Sequence, residues 1–197
     1  MKLVLASGSE TRRRMLAAAG VPFAARNPEV DEEALKNRLL GRGAGAAEIA
    51  LELAQSKALS LAADKDVLVI GSDQVLERDD GSILSKAQSR EEAADQLNHL
   101  AGRTHRLHSA AVLAGAGGIV WGDTQSASMT MRRFSPEFLE HYLASEYDAV
   151  RFNVGGYRIE GMGAQLFEEI DGSHFAIMGL PLLPLLTELR RRGILVS

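Results

Sequence analysis

The chain of 197 residues contains no cysteine. That excludes a disulfide scaffold, a thiolate nucleophile and a cysteine-ligated zinc, and it accords with a reducing, cytoplasmic setting. Aromatic residues are few: six Phe, three Tyr and one Trp. So sparse a set of rings disfavours the stacking platforms that hold single-stranded nucleic acids. Basic excess is missing too, since 22 Lys+Arg stand against 26 Asp+Glu for a formal net charge of −4. A general binder of nucleic acid or anionic membrane needs a basic face, so neither partner is expected. Long apolar runs are also absent. The longest, Ala176 to Leu186, is broken by Gly179, Pro181 and Pro184, well short of the ~20 residues that span a bilayer. The first residues, MKLVLASGSETRRR, carry too short an apolar region for a signal peptide.

What is present is an ordinary globular balance, 46% apolar and 24% charged. The length predicts a single domain over residues 1–197, or two lobes sharing one cleft, with enough chain for a real core. Net acidity still leaves room for one local cationic pocket, because screening limits a charge to roughly 8 Å at physiological salt.

Strands and helices alternate along the chain. Lys2–Ala6 predicts a buried strand, followed by a turn at Ser7-Gly8-Ser9 and a helix to about Ala19. Apolar residues at helical spacing predict a helix over Ala46–Ala63, and Val67–Ile70 a short buried strand that ends at Gly71. Ser89 with Glu92 forms a capping-box pattern, and Gly102 closes that helix. His105–Leu113 and Ile119–Met131, joined through a glycine-rich turn, predict a long antiparallel hairpin. Ser135-Pro136 opens a helix to about Ala144, and a last helix follows Gly179-Leu180-Pro181. This order predicts a mixed α/β sheet without a sharp domain boundary.

Several residues could carry chemistry. Ser7-Gly8-Ser9-Glu10-Thr11-Arg12-Arg13 lies between a strand and a helix, where free N–H groups and the dipole attract phosphate. Ser7 and Ser9 add hydroxyls, and Arg12 and Arg13 add forked donors; alternatively, Ser9 is a plain cap and the arginines a solvated face. Asp73, in Gly71-Ser-Asp-Gln-Val75, follows a buried strand and faces the side where α/β sheets bind ligands. It could hold a metal or accept a proton from water, or serve only as a turn residue. Asp79-Asp80-Gly81 reads as a plain turn. Lys57 and Lys86 could pair with phosphate as point charges, or be ordinary exposed lysines. Asp31-Glu32-Glu33 could lend a metal ligand or cap the next helix. The five histidines show no zinc spacing and are read as structural. No phosphate-loop signature occurs.

Taken in order, these pieces resemble the Maf family of nucleoside triphosphate pyrophosphatases. The resemblance rests on Leu5-Ala-Ser-Gly-Ser9 with Arg12 and Arg13, Val30-Asp-Glu32, Lys57, Gly71-Ser-Asp-Gln-Val75 and Ser85-Lys86. It continues through Leu100-Ala-Gly-Arg-Thr-His105, Gly155-Gly-Tyr-Arg-Ile-Glu-Gly161 and Gly179-Leu-Pro181. It implies an α/β fold, a mixed twisted sheet with flanking helices and a central nucleotide cleft, related to inosine triphosphatases. It further implies hydrolysis of a nucleoside triphosphate to monophosphate and pyrophosphate, assisted by a divalent cation, Mg²⁺ or Mn²⁺. Asp73 would then be the proton acceptor and, with Glu32, a metal ligand. Ser7, Ser9, Arg12, Arg13, Lys57 and Lys86 would line the phosphates. The oligomeric state, a homodimer included, is left open. Glu10-Thr11 stands where the family often has Pro-Arg, and Ala87 where Pro commonly follows the lysine.

Base choice falls on Arg12, Gln74 and Glu160. Family members acting on dTTP and UTP usually carry Thr after the catalytic Asp and Gln in the later block. Gln74 and Glu160 resemble instead the branch acting on 7-methyl-GTP. The chemistry agrees, because guanine's adjacent N1–H and N2–H donors suit a carboxylate. Two alternatives stand beside this reading: a broader or pyrimidine-preferring pyrophosphatase, and a nucleotide-sensing regulator of septum formation without turnover. Glu160 could also simply pair with Arg158 or Arg151.

Overall fold

A computed structural model describes residues 2–196; the outermost residues of the expected 1–197 domain, Met1 and Ser197, lie outside the described residues. The chain divides into two compact units. The first takes its residues from Met1–Gln74, His108–Gln125 and Ser173–Ser197, the second from Val75–Leu107 and Ser126–Gly172. Among the described residues the expected mixed sheet is present, with seven strands and flanking helices. Its order is β2-β1-β3-β5-β6-β7, with β4 paired to β3.

In the first unit, β1 (Lys2–Ala6) pairs in parallel with β2 (Ala24–Arg26) and with β3 (Val67–Glu77). Helix α1 (Glu10–Ala18) forms the crossover from β1 to β2. Two further helices, α2 (Glu32–Gly41) and α3 (Ala46–Leu59), lead back to β3. Strands β1 and β3 are buried on both faces, which is why they read as continuous apolar runs, whereas the short β2 is exposed. Leu3, Leu5, Leu68 and Ile70 join Leu16 of α1, Leu113 of β5 (Thr104–Gly115) and Leu185 and Leu189 of α7 (Leu182–Arg191) in one core. Burial of α3 follows helical spacing: Ile49, Ala50, Leu53, Ala54, Lys57 and Ala58. Lys57 thus sits on the buried stripe.

The second unit holds the turn at Asp79-Asp80-Gly81, where the Gly81 N–H donates to the Arg78 carbonyl and Gly81 has φ +81°. That turn joins the end of β3 to β4 (Ile83–Leu84) in antiparallel pairing. Helix α4 (Arg90–Leu100) is capped by Ser89, whose Oγ accepts from the Glu92 N–H, while α5 (Pro136–Val150) is capped by Ser135. Strand β7 (Phe167–Asp171) pairs antiparallel with the end of β6 (Gly118–Met131). His105, on β5, is buried with its Nε2 2.6 Å from the Tyr157 hydroxyl. Burial pushes its pKa down to about 4.

Three expectations needed correction. Strand β3 does not end at Gly71 but continues to Glu77. Gly71 is there for space: a Cβ would lie 2.0 Å from the Ala54 carbonyl oxygen and 2.7 Å from the Ala58 nitrogen of α3. A glycine that marks close backbone approach looks, in sequence, like the end of a strand. Helix α5 runs past Ala144 to Val150 because nothing in Ser145-Glu-Tyr-Asp-Ala149 breaks it. Helix α3 stops at Leu59, short of Ala63. Among the described residues, no helix is long and apolar enough to cross a membrane.

Gly71→Ala is expected to push α3 off β3 and to destabilise the fold by about 3 kcal/mol, the upper range for overpacking. Urea unfolding followed through the single Trp121 measures it. His105 sets a pH dependence. Its folded pKa lies below the ordinary 6.5, so the unfolded chain takes up the proton first as pH falls. Stability is complete above pH 6.5 and declines toward pH 4, by up to ~3 kcal/mol. A His105→Asn variant should lose about 2 kcal/mol less than the native chain between pH 7 and pH 5; equal losses would exclude His105 as the cause.

Candidate active site

Strand β3 carries Ser72, Asp73 and Gln74 in succession, and the period of two sends Asp73 to the opposite face from its neighbours. On its face Asp73 meets α3. The Lys57 Nζ donates to Asp73 Oδ1 at 2.5 Å and lies 2.9 Å from Glu32 Oε1. Lys57 and Asp73 are nearly buried, with side chains 7% and 11% exposed, whereas Glu32 is 47% exposed. Glu32 is delivered by the first turn of α2, whose N-cap is Asp31, with Oδ1 accepting from the Ala34 N–H at 2.9 Å. Asp31 is therefore the cap and Glu32 the inward carboxylate, resolving the ambiguity of the acidic triplet.

The turn after β1 is built from its own hydroxyls. Ser7 Oγ accepts from the Ser9 N–H at 3.1 Å, and Ser9 Oγ accepts from the Arg12 N–H at 3.4 Å as the N-cap of α1. Capping and anion binding are compatible here, since each hydroxyl keeps its own O–H. Arg12 is buried, and its Nε donates to the Gly179 carbonyl at 2.8 Å and its Nη1 to the Ser72 carbonyl at 3.0 Å. Burial lowers the Arg12 pKa, while the charges of Asp73 and Glu32 oppose that shift. Arg13 instead points to Glu10, whose Oε2 accepts from its Nε at 3.1 Å and its Nη2 at 2.7 Å. Glu10 thus engages one of the two adjacent arginines.

Gln74 points away from Asp73. Its Nε2 donates to Ser109 Oγ at 3.0 Å and lies 3.1 and 2.9 Å from the Ala176 and Ile177 carbonyls of the short helix α6 (His174–Ile177). Lys86 and Glu160 are exposed residues of the second unit. The first unit therefore brings together Ser7, Ser9, Arg12, Glu32, Lys57 and Asp73. Sequence reading gave no role to Ser72 or Gly179. Gly179 has φ +95° and its carbonyl accepts from both Arg12 and Ser72 Oγ, the latter at 3.0 Å. The glycine before Leu180-Pro181 was the available signal.

Asp73 and Glu32 converge on one point, now the Lys57 ammonium. Two carboxylates are a fitting donor set for a hard cation, which takes one or two carboxylates and completes its shell with substrate phosphates and water. Among the described residues no group of three or more His, Asp or Glu is placed to hold a metal unaided.

A family model described as Maf-like protein matches residues 2–192. A nucleoside triphosphate pyrophosphatase of Sphingopyxis alaskensis is 45% identical over 195 residues, 98% of each chain. A 7-methyl-GTP pyrophosphatase of Rhizobium meliloti is 44% identical over 192 residues, 97% of this chain and 96% of that one. Among solved structures, the nucleoside-triphosphatase / dITP/XTP pyrophosphatase from Mycobacterium abscessus matches over 100% of both chains, with TM-score 0.50 and 15% identity. That likeness is one of fold. With a family model covering nearly all of its length and relatives at this identity, the chain belongs to the Maf-like protein family.

Proposed function

We propose that this protein hydrolyses a nucleoside triphosphate to the monophosphate and pyrophosphate, with 7-methyl-GTP as its preferred substrate. The observation that carries the reading is the convergence of Asp73 and Glu32 on the buried Lys57 ammonium, in the unit that also contains the capped N-terminus of α1. Lys57 holds Asp73 Oδ1, which leaves Oδ2 to accept a proton from water. The water oxygen bonds to the α-phosphorus, the bond from that phosphorus to the bridging oxygen breaks, and pyrophosphate leaves. Ser7, Ser9 and the free amides of α1 donate to phosphate oxygens, and Lys57 offsets their charge. Asp73 and Glu32 would hold Mg²⁺ or Mn²⁺, which when bound neutralises triphosphate charge.

Two supports favour the methylated base. Relatives of Rhizobium and Brucella at 43–44% identity are named 7-methyl-GTP pyrophosphatases. A carboxylate at Glu160 suits the paired donors and the positive charge of 7-methylguanine.

Pyrophosphate release from 7-methyl-GTP, GTP, UTP and dTTP, with Mg²⁺, Mn²⁺ or EDTA, tests both levels. Asp73→Asn is expected to lower kcat by ~10³-fold, within the range for a lost general base, while nucleotide still binds; full turnover in that variant would refute the mechanism. 7-methyl-GTP is expected to be turned over fastest, and UTP at an equal or higher rate would remove the substrate assignment. Binding of all four without any pyrophosphate release would identify a sensor instead. Glu160→Gln is expected to move the ranking toward pyrimidines by ~10-fold, the worth of a lost charge-assisted hydrogen bond; an unchanged ranking would take Glu160 out of base reading.

A further inference from the structure

We propose that Arg12 is a positioning residue, fixing the backbone on which Asp73 is mounted, and not a ligand of the substrate phosphates; this rests on Asp73 being the base. Strand β1 ends at Ala6, opposite Gly71, so from Ser72 onward β3 has no β1 partner. Arg12 Nη1 takes the Ser72 carbonyl at 3.0 Å, the oxygen of the peptide that leads into Asp73. The same guanidinium uses Nε on the Gly179 carbonyl at 2.8 Å, and Nη1 is 3.4 Å from Ser7 Oγ. Its fork is thus turned toward main-chain carbonyls, and it is 9% exposed.

Ser72 completes the clasp from the other side. Its Oγ donates to the same Gly179 carbonyl at 3.0 Å, and Ser72 is fully buried. One residue beyond Asp73, Gln74 ties down the Ala176 and Ile177 carbonyls, and Ser109 Oγ donates to Ala176 O at 2.6 Å. Residues 176–179 are therefore fastened to β3 on both sides of Asp73. Gly179 is needed for this geometry. Its φ is +95°, in the left-handed region that side chains with a Cβ rarely adopt. A lysine at position 12 would keep the charge and lose the planar fork that reaches two carbonyls at once.

Positioning and phosphate binding separate in kinetics. A displaced base lowers kcat at unchanged ground-state binding, whereas a lost phosphate contact raises KM. The test is steady-state hydrolysis of 7-methyl-GTP and GTP with Mg²⁺ by the native chain, Arg12→Lys, Ser72→Ala and the double variant. Calorimetric titration with inorganic pyrophosphate and unfolding followed by Trp121 accompany it. Arg12→Lys is expected to lower kcat ~100-fold, with KM and the pyrophosphate Kd within ~3-fold. Ser72→Ala, which touches no ligand in this scheme, is expected to lower kcat ~10-fold with KM unchanged. The double variant should lose less than the product of the two, because both residues act on one carbonyl. A rise of more than ~10-fold in KM and pyrophosphate Kd for Arg12→Lys at native kcat, with Ser72→Ala behaving as native, would overturn the proposal and make Arg12 a phosphate ligand. If Arg12→Lys does not fold, Ser72→Ala decides alone: native kcat overturns the proposal. Undiminished turnover in Asp73→Asn would refute the prior reading of Asp73, an outcome distinct from any of these.

Discussion

Lys57 is an ammonium on the otherwise apolar buried stripe of α3, and an unpaired charge there would cost several kcal/mol. Its position is tenable only because two carboxylates from other elements meet it, Asp73 from β3 and Glu32 from the first turn of α2. Three segments distant in sequence are thereby held to a common point by charge. The close approach of α3 to β3 makes this possible, and Gly71 makes the approach possible. The Maf-like site thus depends on a missing side chain one residue before the Ser72–Gln74 segment and on a buried cation across from it.

Along Ser72-Asp73-Gln74 the strand period of two separates chemistry from support. Asp73 faces the ammonium, while Ser72 and Gln74 face the segment that ends in Gly179. Arg12 works on the support side. Its charge matters near two carboxylates, and its shape matters more, since only a planar fork reaches the Ser72 and Gly179 carbonyls together. Arg13, its neighbour, is held by Glu10 on the exposed face of α1. Adjacent arginines in one motif therefore do different work, because a helix turns 100° between them.

Much of the fold was legible. Apolar period and capping chemistry placed β1, the hairpin β5–β6 and the starts of α1, α4, α5 and α7, since these signals are local. The run of β3 past Gly71 was not legible, because a glycine that admits a helix and a glycine that makes a turn look alike in sequence. Strands β2, β4 and β7 were missed, being two to five residues long and set by pairing more than by pattern. Around the site, Asp73, Glu32 and Lys57 were recognised as candidates, but the default for Lys57 was solvent. Ser72 and Gly179 stand in the family-like motifs without an assigned role, because the Ser72 hydroxyl meets the Gly179 carbonyl across 107 positions.

By itself the sequence determined the inventory: no thiol, few rings, a mildly acidic balance, and two or three basic and acidic residues at strand and helix ends. Local patterns also determined which helices are capped, because a cap is a contact across three residues. Tertiary structure alone decided which charges meet. It buried Lys57, turned Asp73 and not Gln74 toward it, and gave Arg12 to the main chain. The reason is physical. A side chain's chemistry is written in its residue type, but its partner and its protection from water depend on which backbones can approach, and that is settled only when the chain packs.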